Sequence, residues 1–119
     1  MHQKIINDIV KFFFTLQLLN KVYHWNTQSY ARHIATDKFN SNLLDLTDKF
    51  VEVYIGKYKV KPTVSQINIE SMNDNDIILL FENSKKYLEE IKITDSGLLN
   101  IRDELLSEIN QTLYLFALH

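Results

Sequence analysis

The stretch Lys59-Val60-Lys61-Pro62-Thr63-Val64-Ser65-Gln66-Ile67-Asn68-Ile69-Glu70-Ser71-Met72-Asn73 separates two long regions of helical periodicity and carries none of its own. Extended, about fifteen residues reach roughly 50 Å, more than the roughly 40 Å length of a helix of about 27 residues. Such a segment crosses a whole bundle and permits the helices on either side of it to run parallel. A plain up-and-down bundle with a slack loop satisfies the same length. On its N-terminal side, apolar residues recur at helical spacing over about Gln3 to Asn26 and about Tyr30 to Lys57; on its C-terminal side they recur over about Asp74 to Lys92 and about Ser96 to Leu118. Helix breakers occur only at Gly56, Pro62 and Gly97. The short links between the first two and the last two segments make each pair an antiparallel hairpin, with Asp95 or Thr94 as the N-cap of the fourth helix. The expected fold class is therefore all-α, one domain over residues 1–119, a four-helix bundle with one long crossover between its second and third helices.

Composition narrows the chemistry. The 119 residues contain no cysteine, which excludes disulfides, thiolate metal sites and cysteine nucleophiles, so any metal must take nitrogen and oxygen ligands. A net charge of −2 with no basic arm argues against nucleic acid as a partner. The apolar start from Ile5 to Leu19 is interrupted by Asn7, Asp8, Lys11 and Gln17, so neither a signal-peptide core nor a membrane span is expected, and the sequence reads as that of an intracellular protein.

Two faces are out of place in an isolated bundle. The first helix carries Ile5, Ile6, Ile9, Phe12, Phe13, Leu16, Leu19, Val22 and Tyr23 on one stripe, with Phe14, Leu18 and Trp25 off it, so it is apolar on more than one side and part of it is expected to meet another subunit. On the second helix, Phe39, Leu43, Leu46, Phe50 and Tyr54 form the core stripe. With His33 set at zero on a wheel of about 100° per residue, Asp37 falls near 40°, Asp48 near 60° and Glu52 near 100°, roughly opposite that stripe. Charged residues at helical spacing ordinarily form a solvated face. Here Leu44, Val51 and Ile55 share the arc, and three branched aliphatics in a hydrated row predict that another helix covers it.

The spacing also says how. Asp37 and Asp48 lie about 16 Å apart along the axis, so His33/Asp37 and Asp48/Glu52 are two half-sites within one chain. In an antiparallel pair of second helices about a twofold axis, facing residue numbers have a constant sum. The numbers 37 and 48 share their sum with 33 and 52, so one register, centred between Asn42 and Leu43, completes both sites at once. One imidazole with three carboxylates is a hard-leaning donor set suited to Fe(II), Mn(II) or Zn(II), the carboxylate excess favouring iron or manganese.

The order Tyr23-His24-Trp25-Asn26, His33, Asp37, Asp48, Glu52 resembles the iron-oxidation signature of Dps proteins (DNA protection during starvation), the small dodecameric members of the ferritin-like superfamily. The block Tyr23 to Glu52, with Tyr30-Ala31-Arg32-His33 and Ala35-Thr36-Asp37 inside it, also looks like an uncharacterised Dps-like family of large DNA viruses. The resemblance implies a ferritin-like bundle and an intersubunit site in which His24, His33 and Asp37 of one chain and Asp48 and Glu52 of its partner are the metal-ligating and catalytic residues. It further implies Trp25 as an electron donor beside the site, for which interface packing is an equal reading. The chain departs from that family in a shorter interval between its two histidines and in lacking a basic tail. His2 and His119, at the chain ends, are expected to be disordered or incidental rather than ligands.

The function so implied is oxidation of Fe(II) by peroxide or dioxygen, with Fe(III) stored if twofold dimers close into a shell, in the cytoplasm or within a virus particle. Competing with it are a structural or particle-associated protein with a metal-bridged dimer and no useful oxidation chemistry, and a simple helical adaptor.

Overall fold

The structure, a computed structural model, describes residues 1–118; His119 lies outside the described residues. It consists of α1 (His2–Asn26), α2 (Tyr30–Tyr58), α3 (Asp74–Glu90) and α4 (Ser96–Phe116), with no strand among the described residues. Each boundary has a local cause. The Ser29 side chain accepts from the Arg32 amide at 3.2 Å and starts α2. Lys59 in the left-handed conformation (φ 59°) ends it, so the helix runs through Gly56 rather than stopping there. Asn73 and Asp76 form a reciprocal capping box at the start of α3. Asp95 is the N-cap of α4, accepting from the Leu98 amide at 3.0 Å. The third helix ends at Glu90, two residues short of the sequence expectation, because Ile91 is extended and its carbonyl accepts from the Ile93 amide in a tight turn.

Polar contacts at the two ends of the bundle fix the topology. Arg32, at the start of α2, reaches Asp74 at the start of α3 and Phe116 at the end of α4. At the other end, Lys57 of α2 bonds Asp95 ahead of α4. Helices α2 and α3 therefore begin at the same end and run parallel, the one-long-crossover arrangement of ferritin-like bundles, and the up-and-down alternative is excluded. The crossover leaves α2 beside the N-terminal half of α1, where Gln3 Nε2 donates to the Lys61 carbonyl at 2.6 Å and the Thr63 amide donates to Asn7 Oδ1 at 2.7 Å. It arrives at α3 beside the C-terminal end of α1, where the Tyr23 hydroxyl donates to Asp74 Oδ1 at 2.7 Å.

Between these ends the core is a ladder of aromatic and aliphatic side chains. Phe13 meets Phe50 edge to face at 5.5 Å, Phe39 tilts against Phe81 at 4.7 Å, and Phe81 meets Phe116 at 5.2 Å. On α2 the expected stripe is inside, with Phe39, Leu43, Phe50 and Tyr54 buried and Leu46 half-buried against them. The N-terminal histidine departs from expectation: His2 is not an incidental end residue but opens α1, stacks on Tyr58 at 3.9 Å and accepts from the Tyr54 hydroxyl through its carbonyl. No helix among the described residues is long and apolar enough to cross a membrane.

Two outcomes follow from these end contacts. The Arg32 side chain, only 14% exposed, donates to Tyr23 Oη, the Asp74 carbonyl and the Phe116 carbonyl, and lies 5.0 Å from the Phe116 ring. Arg32→Ala removes three hydrogen bonds, the one to the Asp74 carbonyl at an exposed site, so urea unfolding is expected to show a loss of about 1–3 kcal/mol with little change in m-value. Bonding from Lys57, then from the Leu98 amide, holds the Asp95 carboxyl below its usual range. A depressed folded value contributes stability that is present above the unfolded value, about 3.9, and is lost as pH falls through the folded one. Asp95→Asn should flatten the pH dependence of the urea midpoint below about pH 4.

Candidate functional site

The link from α1 to α2 is only Thr27-Gln28-Ser29, so the last turn of one helix and the first turn of the next are held face to face. His24 and His33 meet across this turn with ring centroids 3.9 Å apart and 16° between planes. His24 Nδ1 lies 2.8 Å from the His33 carbonyl oxygen, and His33 Nδ1 lies 2.9 Å from the His24 carbonyl oxygen. A carbonyl oxygen can only accept. Each neutral ring must therefore carry its proton on Nδ1 and keep the lone pair on Nε2, the nitrogen through which an imidazole held this way ligates a metal.

The remaining residues lie along the outward side of α2. Asp37 is exposed one turn beyond His33, beside an open groove of about 220 Å³ between α1 and α2 lined by Leu18, Lys21, Asn40, Ser41 and Leu44 among others. Asp48 and Glu52 are exposed three to four turns further on. The helix is continuous from Tyr30 to Tyr58, so the roughly 16 Å separation of the two pairs holds. Among the described residues, no three His, Asp or Glu side chains of one chain gather closely enough to hold a metal ion. The structure thus brings His24 and His33 together, sets Asp37 one turn from His33, and leaves Asp48 and Glu52 apart from all three.

Apolar groups accompany these polar ones on the surface. Leu44 is 48% exposed and Ile34 49%, and Val51 and Ile55 are half-buried. On the adjoining helix Phe14, Leu18 and Trp25 are exposed, Trp25 the most at 66%, with Lys21 Nζ lying 5.5 Å from its ring centre. Tyr30 is also open, and its ring lies 6.5 Å from the His33 ring at 23° from parallel. Tyr23, by contrast, is a structural residue: burial pushes its phenol above the usual value, and the hydroxyl serves Asp74, Arg32 and Thr27.

Sequence reasoning passed over the polar groups that back the histidine pair. Thr36 is fully buried, and its hydroxyl lies 3.0 Å from His24 Nδ1. Asn20, also fully buried, donates from Nδ2 to the Thr36 carbonyl at 3.1 Å and to Asn40 Oδ1 at 3.0 Å, while its own Oδ1 has no partner. The available signal was Asn20 itself, an amide on the same side of α1 as the core residues Leu16 and Tyr23.

A four-helix bundle with a stacked histidine pair at the α1–α2 turn and exposed carboxylates along α2 is the class that fold and site define. The chain belongs to DUF5856, described as a family of unknown function, whose profile matches residues 24–116, a span that begins at His24 and contains all five candidate ligands. It is also similar to the uncharacterized 14.6 kDa protein in the mobD-ri intergenic region of Enterobacteria phage T4, 42% identical over 66 residues that cover 51% of this chain and 52% of that protein. The chain thus spans about half the length of that curated relative. No solved structure matches the chain significantly.

Burial separates the candidates in stability. His24→Ala empties a buried position and removes the donor to the His33 carbonyl, and should cost about 1–3 kcal/mol. Asp37→Ala, Asp48→Ala and Glu52→Ala, all at exposed positions, should each stay within about 0.5 kcal/mol of the parent in the same urea titration.

Proposed function

We propose that the protein is a ferritin-like iron-binding oxidase whose substrate is Fe(II), taken up at two equivalent sites in a twofold dimer. In each site His24, His33 and Asp37 of one protomer face Asp48 and Glu52 of the other. The observation that carries this reading is the shared sum of the paired positions on a helix that runs unbroken through all four residues on α2. The same register sets Tyr30 against Ile55 and Ile34 against Val51, so it would also cover apolar groups that the monomer leaves open. The resemblance of the ordered motif to Dps proteins points to the same pairing.

The donors fit iron. Three carboxylates stabilise the more highly charged Fe(III) and so lower the reduction potential, and a neutral Nε2 completes an N/O set without thiolate; with the two rings 3.9 Å apart and 16° from parallel, one of them, not both, can turn its in-plane lone pair to a given ion. The oxidant is peroxide or dioxygen; peroxide takes two electrons, so two Fe(II) are consumed for each peroxide, two protons being taken up as two waters form. Mn(II) and Zn(II) suit the same donors and would compete for them. Trp25, exposed next to His24, is placed to supply an electron to a reactive product or to pack in the dimer. A shell of dimers able to hold ferric mineral is the assembly this reading implies. A second reading, favoured by the phage source of the similar protein, keeps the metal-bridged dimer as a structural, particle-associated element without oxidation chemistry.

Anaerobic Fe(II) titration followed by peroxide tests the proposal. The expected result is two Fe(II)-binding sites per dimer and peroxide consumed in proportion, both lost in Asp48→Ala. Metal bound without peroxide consumption would support the structural reading instead. An Asp48→Ala variant with unchanged metal stoichiometry and dimer mass would contradict the shared site.

A further inference from the structure

At the opposite end of α1 from the histidine pair lies a cleft of about 670 Å³, about three times the volume of the groove beside Asp37. Its size is that of small-molecule sites, roughly 300–1,000 Å³. The cleft exists because α1 and α3 are unequal. The third helix has 17 residues against 25 in α1 and stops at Glu90, where the chain turns extended at Ile91, so about two turns at the start of α1 outrun it. Ile5, Ile9 and Ile91 wall the cleft, Ile9 buried and the other two half-buried. The Tyr87 ring closes one side, held by near-parallel stacking on Phe12 at 4.2 Å and 20°.

Two polar groups break this apolar lining. The Tyr87 hydroxyl bonds no group among the described residues; burial, and then the Asp8 carboxylate, push its phenol above the usual value, so at neutral pH it is a donor. The other is the last turn of α3. Helix carbonyls point towards the C-terminal end, and here neither an amide beyond the helix nor a basic side chain of that turn caps them. The charges at the rim cancel: Lys4 bonds Asp8 at 2.6 Å, and the exposed Glu90 and Lys92 carry opposite signs. A charged ligand would lose hydration against no net counter-charge. A hydroxyl can instead accept from Tyr87 and donate to a helix carbonyl.

We infer that this cleft binds an uncharged amphiphile, an apolar chain or ring bearing a hydroxyl, with its apolar body on Ile5, Ile9 and Ile91 and its oxygen between the Tyr87 hydroxyl and the end of α3. The inference does not rest on the iron-binding reading, since none of the residues assigned to that site lines the cleft.

The probe is n-octanol, titrated up to its solubility limit into protein carrying 13C-labelled isoleucine methyl groups. The Ile5, Ile9 and Ile91 methyls should shift saturably and show nuclear Overhauser contacts to the octyl chain. Octanoate and octylammonium, of the same chain length, should bind more weakly than octanol. Tyr87→Phe, which keeps the ring on Phe12, should weaken octanol roughly 2–10-fold, the effect of losing one hydrogen bond between neutral groups. Ile5→Trp, at a half-buried position, should fill the cleft and abolish binding, with circular dichroism melts reporting the fold of both variants. Should Ile5→Trp fail to fold, Tyr87→Phe and the two charged analogues still decide. The inference is overturned by octanol shifts that do not saturate, by either charged analogue binding as tightly as octanol, by unchanged affinity in Tyr87→Phe, or by binding that survives in a folded Ile5→Trp. Methyl shifts that follow protein concentration in the absence of octanol would assign the cleft to a second copy of the chain, and overturn it equally.

Discussion

The Arg32 guanidinium is the constraint on which the rest of this bundle depends. It stands at the end where α1 finishes, α2 and α3 begin and α4 finishes, and it bonds a group from each of the other three helices. Four helices joined by two tight links and one slack strap could adopt either of two topologies. A cation with a rigid fork of donors, largely withdrawn from water, is satisfied only by the one that delivers the Asp74 and Phe116 carbonyls together. The next residue is His33, and the Arg32 carbonyl receives the hydrogen of Thr36. The clamp that decides the topology and the turn that holds the histidines are therefore one piece of structure.

How much of this a reader of the sequence could see depends on which residues speak through periodicity. The Phe39-Leu43-Leu46-Phe50-Tyr54 stripe repeats at helical spacing, and it lies inside as that spacing requires. The length of the stretch from Lys59 to Asn73 limited the topologies to two. The choice between them lay in Arg32, an ordinary surface cation by composition whose partners are 42 and 84 residues away in sequence. The same applies to the site. Outward placement of Asp37, Asp48 and Glu52 follows from helical angle alone, and all three are exposed. The stacked, reciprocally bonded histidines follow from a close approach of two helix ends, which no one-dimensional pattern encodes. His2 was misjudged for a related reason: its partner Tyr58 is at the far end of another helix, so position near a terminus said nothing about order.

The polar interior behind His24 also bears on what the molecule is built to do. A bundle that needed only to fold would gain from aliphatic residues at Asn20 and Thr36, since the buried Asn20 Oδ1 is left without a donor. Retaining them places a specific hydrogen-bond pattern against one imidazole and fixes the register of α1 on α2. The opposite side of α2 carries the complementary peculiarity, acidic groups and exposed aliphatics in one row on a surface the monomer leaves open. On the proposed function, a second protomer would bring carboxylates to this imidazole pair and cover the aliphatics between them.

Subunit complementation measures that arrangement most directly. One chain carries His33→Ala with Asp37→Ala, a second carries Asp48→Ala with Glu52→Ala, and the two are unfolded, mixed equally and refolded before Fe(II) titration. Neither variant alone should bind iron at the shared site. The mixture should recover about a quarter of the parent's sites, because half of randomly assorted dimers are mixed and each mixed dimer rebuilds one of its two sites. A mixture that binds no more iron than its separate components would contradict the account, since the four side chains would then not meet across a twofold axis.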